Sequence, residues 1–231
     1  MSWMSRVAVF DTETTGVKPL EDRIVTAFVG MLDATGEVER GTDWLADPGV
    51  EIPEQAAAVH GITTEMAREE GEPAAVVVGK VRVAIEWIAV HRVPLVVFNA
   101  PYDLTLLDAE CRRYGLEPVS PLLGEQVIDP LVIDRAVEKF RKGKRTLVDL
   151  APVYGVELLD AHSAGDDAIA AGQLALAMAA KYPEEIGALP LDELHRRQVA
   201  WAEAQAKDFE EYMRRARDPE FTADRGWPVK R

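Results

Sequence analysis

The most constraining feature of this chain is an apolar run that ends in two acidic residues, within RVAVFDTETTG at positions 6–16. Val7–Phe10 predicts a buried strand, and Asp11 and Glu13 follow at its C-terminal end. Residues i and i+2 of a strand share a face, so the two carboxylates are predicted to project side by side. Paired carboxylates repel unless a cation neutralises them, and Mg²⁺ and Mn²⁺ prefer oxygen ligands. A solvated turn is the alternative, and this pair alone does not decide between the two.

The rest of the chain predicts an α/β fold that begins with antiparallel strands. Two more strands, Ile24–Met31 and Glu37–Leu45, are joined by a turn at 33–36, which indicates a three-stranded meander. Short strands are predicted at Leu95–Phe98 and Val127–Ile128. Apolar periodicity predicts helices at Val76–His91, Leu104–Tyr114, Leu147–Tyr154 and Asp166–Lys181.

A change in composition near Pro190 marks a C-terminal extension. Apolar residues recur at helical spacing from Leu191 to Ala216, which predicts an amphipathic helix. We therefore divide the chain into a main domain over residues 1–185 and a helical extension over residues 186–231. Packing of this helix on the domain's own surface is the favoured interpretation, and docking to a partner is the alternative.

Charge and composition exclude some classes of function. The net charge is −14, and residues 1–189 carry all of the excess. Such an acidic body argues against a protein that coats nucleic acid through phosphate contacts alone, but not against an enzyme that meets phosphate through metal ions. The single cysteine, Cys111, indicates a reducing compartment. Neither a membrane span nor a signal peptide is predicted, so we expect a cytoplasmic protein.

A second acidic position follows the apolar strand in LVVFNAPYDLTLLDAEC, residues 95–111. Asn99 comes after the strand, and Asp103 is predicted to open an amphipathic helix. Asp103 can cap that helix, and it can ligate a cation; the two roles are compatible.

A third cluster lies in DAHSAGDDAIAAG, residues 160–172. Ser163 and Asp166 match a helix-capping pattern, which leaves Asp167 in the first turn to face elsewhere. His162 precedes the helix, and a histidine near carboxylates and metal is suited to general-base catalysis because its pKa is close to neutral. A surface histidine is the alternative for His162 taken by itself.

The order of these motifs resembles that of a known family, the DEDDh 3′–5′ exonucleases of the ribonuclease H-like superfamily. This group includes the proofreading subunit of bacterial DNA polymerase III. The matching segments are FDTETTG, VHGIT, FNAPYD and HSAGDDA, which span residues 7 to about 180 in the expected order. The resemblance implies a ribonuclease H-like α/β fold, a central mixed sheet of about five strands flanked by helices. It also implies metal-dependent hydrolysis from the 3′ end that releases nucleoside 5′-monophosphates, in proofreading, repair or clean-up.

The resemblance also assigns roles to the acids and the histidine. Asp11, Glu13, Asp103 and Asp167 would hold two divalent metal ions, Mg²⁺ or Mn²⁺, with Asp11 bridging both. His162 would deprotonate the attacking water. Two cations about 3.5–4 Å apart stabilise the attacking and leaving oxygens of an in-line displacement, and they neutralise the clustered carboxylates.

Substrate contacts follow from the same resemblance. Thr12 and Thr14, next to the first acids, would touch the terminal nucleotide, and His60 would help to bind the 3′ end. The family often has a glutamate five residues before this histidine, where the present chain has a glutamine. Asn99 and Tyr102 flank Asp103 and would help to shape the pocket, with a packing role as the alternative.

The segment KFRKGKR, residues 139–145, places five basic residues in an otherwise acidic body. We interpret it as a loop that guides phosphates of a single strand, through Lys142, Lys144 and Arg145. A solvated charge run is the alternative.

DNA, single-stranded or with a 3′ overhang, is the favoured substrate, and an exoribonuclease for short RNA is the alternative. A third hypothesis is a polymerase-associated subunit, whose C-terminal helix docks a DNA polymerase or another replication or repair partner. A non-catalytic binding module is disfavoured because all five active-site positions are present. No membrane partner is expected.

Overall fold

A six-stranded mixed sheet lies at the centre of the structure, a computed structural model that describes residues 2–158 and 163–230. The strands are β1 (Arg6–Thr14), β2 (Ile24–Asp33), β3 (Val38–Asp47), β4 (Glu72–Pro73), β5 (Leu95–Val96) and β6 (Val127–Ile128). The α-helices in these described ranges are α1 (Glu54–His60), α2 (Thr64–Glu70), α3 (Ala74–Val90), α4 (Ala100–Arg113), α5 (Ser120–Leu123), α6 (Pro130–Val137), α7 (Leu147–Leu150), α8 (Ala164–Lys181) and α9 (Leu191–Ala216). Short 3₁₀ turns at Trp3–Ser5 and Ala151–Tyr154 and a π-helical turn at Pro183–Gly187 complete this set of elements.

The strand order is β4-β3-β2-β1-β5-β6. The first three strands form the predicted antiparallel meander, whereas β5 and β6 run parallel to β1. The carboxyl ends of β1, β5 and β6 therefore meet at one edge of the sheet, which is where α/β proteins commonly place their ligands. The mixed α/β architecture with flanking helices is confirmed; the sixth strand, β4, contributes only two residues.

The observed elements differ from the predicted ones in two informative ways. β1 continues through the two acids to Thr14, because Asp11 and Glu13 still pair with Phe28 and Thr26 of β2. The acids therefore lie within the strand and not beyond its end. Helices α1, α2 and α6 were not predicted, since each has only seven or eight residues and shows too few turns for a clear apolar period.

Alternate residues of β1 pack into separate cores on the two faces of the sheet. Ala8 and Phe10 join the core that contains α3 and α4, and Val7 and Val9 join the core that contains α8. Gly172 allows α8 to approach the sheet closely, because a Cβ there would lie 2.5 Å from side-chain atoms of Leu32 and Val9. This close packing fixes the N-terminus of α8 beside β1.

The C-terminal helix packs against the domain itself. The side-chain oxygen of Gln198 accepts a hydrogen bond from the Asp129 N–H at 2.7 Å, and Gln205 donates to the Val132 carbonyl at 2.9 Å. Beyond α9, the Trp227 indole donates to Asp129 at 3.2 Å. The buried stripe of α9 is thus covered by the domain, and the boundary at residue 186 stays a prediction. Within the described residues, no helix is both long and apolar enough to span a membrane.

Candidate active site

Three carboxylates from distant parts of the sequence meet beside the sheet. Asp11 and Glu13 lie on the same face of β1, and Asp167 lies in the first turn of α8. One oxygen from each side chain lies within 4.8 Å of the others, the spacing of a shared cation site. We call this group the acid cluster. The structure thus brings together three of the four acids that the sequence analysis singled out.

The fourth acid, Asp103, lies against the acid cluster. It occupies the first turn of α4, is buried, and accepts a hydrogen bond from the Thr12 hydroxyl at 2.5 Å. Because Thr12 lies between Asp11 and Glu13 on β1, this bond ties the helix that carries the fourth acid to the strand that carries the first two. The Thr12 side chain is therefore engaged in positioning Asp103.

Burial and mutual repulsion raise the pKa values of these carboxyl groups. The pKa of Asp11 is well above its usual value because of burial and the nearby charges of Asp103, Asp167 and Glu13. Burial, Asp167 and Asp103 raise the pKa of Glu13 to about 7. Burial also raises the pKa of Asp103 to about 7, although the hydrogen bond from Thr12 opposes the shift.

No basic side chain in the described ranges forms an ion pair with Asp11, Glu13 or Asp103. Such an arrangement of crowded, partly buried acids is costly unless a cation neutralises it. The donors are all carboxylate oxygens, which suits a hard divalent cation such as Mg²⁺ or Mn²⁺. The residues present therefore fit the predicted metal ions.

Asp129 holds the turn that presents Asp103. Asn99 adopts a left-handed conformation, with φ 61°, that aspartate and asparagine tolerate better than most residues. The N–H groups of Asn99 and Ala100 each donate to the Asp129 carboxylate at 3.0 Å, which fixes the start of α4. The sequence analysis missed Asp129, although its position between a short strand and Pro130 is typical of a helix cap; its carboxylate also accepts from the Leu131 N–H.

Thr14 and Tyr102 lie together at the end of β1. Their hydroxyl oxygens are 2.7 Å apart, and each lies within hydrogen-bonding distance of the Gly16 carbonyl, at 2.7 and 2.5 Å. Burial raises the pKa of Tyr102 to about 12, so the phenol is protonated at neutral pH. This network couples the loop after β1 to the first turn of α4.

His60 lies at the end of α1, near the acid cluster. It lines the same pocket as Glu13, a cavity of about 620 Å³ that also includes Asp43 and Ser163. The Nδ1 atom of His60 accepts a hydrogen bond from the Ile62 N–H at 3.2 Å, and burial lowers the pKa of the imidazole. Asp43 was not singled out from sequence, because it lies in a strand of mixed polarity; burial and Asp166 raise its pKa.

The basic loop, residues 139–145, contains cationic side chains of two kinds, those that bind the protein and those that face solvent. Arg145 and Arg141 both bind the buried carboxylate of Asp134, and Arg145 also donates to the Glu138 and Arg141 carbonyls. The Arg145 guanidinium thus stabilises the loop, and its predicted contact with substrate stays a prediction. Lys142 and Lys144 are exposed, and neither forms an ion pair with the part of the chain that the structure describes.

The third motif is only partly described. His162 lies outside the described residues, so its predicted role stays a prediction. Ser163 occupies the N-cap position of α8 as expected, but its side chain makes no capping hydrogen bond to the helix. The helix is instead held by its close packing on β1 and β2.

Comparison with known proteins agrees with this geometry. The sequence model of the RNase_T exonuclease family matches residues 8–175, a stretch that contains all four acids. The chain belongs to this exonuclease family. It is a 3′–5′ exonuclease, a hydrolase of the DEDDh group that the sequence motifs resemble.

Two curated relatives are DNA polymerase proteins. The chain is 29% identical to the DNA polymerase III subunit epsilon of Treponema pallidum (strain Nichols) over 179 residues, which cover 77% of this chain and 78% of that one. It is 31% identical to the PolC-type DNA polymerase III of Lacticaseibacillus paracasei over 190 residues, or 82% of this chain and 12% of that one.

Solved structures of E. coli exonuclease I share the ribonuclease H-like fold. The complex with a dA16 oligonucleotide gives a TM-score of 0.66 at 21% identity and covers 82% of this chain and 42% of that one. The complex with a dT13 oligonucleotide gives 0.64 at 22% identity, with coverage of 78% and 42%. The present chain thus spans less than half of exonuclease I and an eighth of the PolC-type enzyme.

Proposed function

We propose that the protein removes nucleotides from the 3′ end of DNA, single-stranded or with a 3′ overhang, and releases nucleoside 5′-monophosphates. The observation that carries this proposal is the crowding of Asp11, Glu13 and Asp167 within 4.8 Å beside the buried Asp103. Enzymes of this family generally use divalent metals, and two such ions would hold the attacking and leaving oxygens of an in-line displacement. Mg²⁺ or Mn²⁺ suits the oxygen ligands.

Each acid has a distinct part in this proposal. Asp11, which lies near the other three acids, would hold the cations together with Glu13, Asp103 and Asp167. Thr12 holds Asp103 in place, and Asp129 fixes the helix start behind it. His162 would take the proton from the attacking water, because it precedes the helix that carries Asp167.

The pocket beside Glu13 is the proposed place for the terminal nucleotide. His60 lines this pocket, and the lowered pKa of its imidazole keeps it neutral at physiological pH; because Nδ1 accepts from the Ile62 N–H, Nε2 carries the proton and is the donor. Thr12 and Thr14 contribute through the β1 backbone, since both hydroxyls are already engaged within the protein. Tyr102 would act through its contacts with Thr14 and the Gly16 carbonyl, and Asn99 through the turn that begins α4.

DNA is the proposed substrate because the curated relatives are DNA polymerase proteins and the exonuclease I structures hold dT13 and dA16. Short RNA is the competing substrate. The relation to the epsilon subunit also supports a polymerase as partner. The surface offered to such a partner would be the exposed side of α9, where Tyr212 faces solvent, since the opposite side is covered.

The test uses oligonucleotides labelled at the 5′ end, as single strands and as duplexes with 3′ overhangs, in DNA and RNA. We expect a ladder that shortens from the 3′ end with Mg²⁺ or Mn²⁺ and disappears with EDTA. His162→Ala should lower the rate by at least about 10²-fold, the scale of general-base catalysis. His91→Ala is the matched control, because His91 stacks on Trp87 at the far end of α3 and should leave the rate unchanged. Folded, metal-loaded wild type that cleaves none of these substrates would contradict the proposal.

A further inference from the structure

A groove between α6, α9 and the C-terminal segment reaches the first turn of α4, the turn that carries Asp103. Its volume is about 780 Å³, within the range of pockets that bury a ligand the size of one or two nucleotides. Asn99 and Pro101 form its near end, and Phe209 and Phe221 lie at other parts of its wall. We call it the α6–α9 groove.

The groove and the acid cluster lie at the same edge of the sheet. Asp129, on the groove wall, directly follows β6, and Asn99 follows β5, so both mark the carboxyl ends of strands parallel to β1. The first turn of α4 separates the two sites: Pro101 lines the groove, and Asp103 lies against the acid cluster. A chain whose end lies at the acids thus needs to pass only one helical turn to enter the groove.

The groove is locally basic in a chain of net charge −14. Its lining includes five cationic side chains: Arg135, Lys139, Arg145, Arg225 and Lys230. Three acids also line it: Asp129 is fully buried and accepts backbone N–H groups, Asp208 pairs with Lys139 at 3.5 Å, and the exposed Asp224 accepts from the Gly226 N–H at 2.7 Å.

Two of the groove cations are left for a ligand. Arg145 binds Asp134, and Arg225 binds Glu210 at 3.3 Å. Arg135 and Lys230 are accessible to solvent and form no ion pair with the described residues. Surrounding protein partly desolvates the Arg135 guanidinium and lowers its pKa, so an anion placed in the groove would gain a charge-assisted contact.

Aromatic side chains accompany these cations. Trp201 and Trp227 line the groove, and Phe209 is 50% exposed while its ring meets Phe221 edge-on at 5.5 Å. Cations that track a backbone, interleaved with aromatic rings on which bases stack, are the pattern of sites that bind single-stranded nucleic acid without sequence preference. An apolar peptide would offer no negative charge to these two cations, which form no ion pair with the described residues.

We propose that the α6–α9 groove binds the single strand upstream of its 3′-terminal nucleotides, with Arg135 and Lys230 on phosphates and Phe209 stacked against a base. This inference rests on the proposed exonuclease function and names the path of its substrate. The proposal also assigns a role in substrate binding to the C-terminal segment, because α9 and residues 221–230 form one wall of the groove.

The test compares a trinucleotide with a single strand longer than about 16 nucleotides. Arg135→Ala combined with Lys230→Ala should raise KM for the long strand about tenfold, with kcat unchanged and the trinucleotide unaffected, because only the long strand reaches the groove. The slope of log KM against log salt should fall by about 0.7 for each phosphate that is no longer neutralised. Phe209→Ala should raise KM for the long strand about fivefold or more.

Arg215→Ala is the matched control, since Arg215 is an exposed arginine of α9 outside the groove and without an ion pair to the described residues. Fluorescence anisotropy of the labelled long strand in EDTA gives a readout that does not depend on cleavage. Wild type that cleaves both substrates, with groove variants that cleave and bind like wild type, would overturn the groove proposal alone and leave a protein partner as its occupant. Wild type that cleaves nothing would instead contradict the proposed function.

Discussion

Two acidic sites in this molecule are handled in opposite ways. Asp134 is fully buried, and the chain neutralises it with two arginines, Arg141 at 2.7 Å and Arg145, together with the Tyr154 hydroxyl at 2.9 Å. The acid cluster instead places Asp11 and Glu13 near two further carboxylates, with burial and repulsion raising their pKa values. The comparison indicates that Asp134 serves the fold, whereas the acid cluster is held in a repulsive arrangement that a bound proton or an added cation relieves.

The largest expected effect is on catalysis. Asp11→Asn should lower the exonuclease rate by about 10³-fold or more, because loss of metal-mediated charge stabilisation removes several kcal/mol from the transition state. The folded state should survive, since the change removes a repulsive charge. Steady-state cleavage with Mg²⁺ measures the effect, and Asp192→Asn, at an exposed surface pair with Arg196, is the control. An Asp11→Asn enzyme of near wild-type rate would contradict this interpretation of the cluster.

An aspartate-to-asparagine substitution at Asp134 should instead lower stability and leave the catalytic groups in place. Asp134→Asn should lower the free energy of unfolding by about 3–5 kcal/mol, because it leaves two partly buried guanidinium groups without their carboxylate. Urea denaturation measures the loss. The comparison would break down if Asp134→Asn were as stable as wild type or if Asp11→Asn lost as much stability.

The next effect concerns pH. In the metal-free protein the pKa values of Glu13 and Asp103 are about 7, above their ordinary values, so the folded state binds more protons than the unfolded state. These groups therefore contribute less to stability as pH rises from about 4 to about 7, and the penalty is complete above that window. Mg²⁺ should stabilise the protein more at about pH 8 than at about pH 5, with a Tm shift of about 2–4 °C for each kcal/mol. Thermal melts in Mg²⁺ and in EDTA measure this, and an equal Mg²⁺ shift at both pH values would count against it.

The smallest effect separates the two kinds of cation in the basic loop. Lys142→Ala with Lys144→Ala should raise KM by a few-fold and reduce the log–log salt slope by about 0.7 for each phosphate that the two lysines neutralise. Arg145→Ala should mainly lower stability, because this guanidinium binds Asp134. Steady-state kinetics and thermal melts of both variants distinguish the two roles. An unchanged KM in the double lysine variant would show that Lys142 and Lys144 do not bind substrate phosphates.

The sequence predicted well the elements whose signals are local. The second and third strands of the meander, Val127–Ile128 and the helix from Leu191 to Ala216 are found at or near their predicted bounds. A strand period of two residues placed Asp11 and Glu13 on one face, because this relation depends only on local backbone geometry.

Features that depend on tertiary contacts could not be predicted in the same way. Whether Arg145 meets phosphate or Asp134 depends on where α6 lies, and sequence spacing carries no such information. Asp129 acts on Asn99 across 30 positions, through a turn in left-handed conformation. The covering of α9 likewise follows from Gln198 and Trp227 meeting the same aspartate, while periodicity alone left both a partner and the domain open.

The most direct test of the central claim is Mn²⁺ binding, measured by electron paramagnetic resonance on wild type, Asp11→Asn and Asp192→Asn. If the acid cluster is the cation site, Asp192→Asn should bind Mn²⁺ as wild type does, and Asp11→Asn should bind it at least about tenfold more weakly. Equal Mn²⁺ binding by wild type and Asp11→Asn would contradict this claim, because the cation would then be bound somewhere other than the acid cluster.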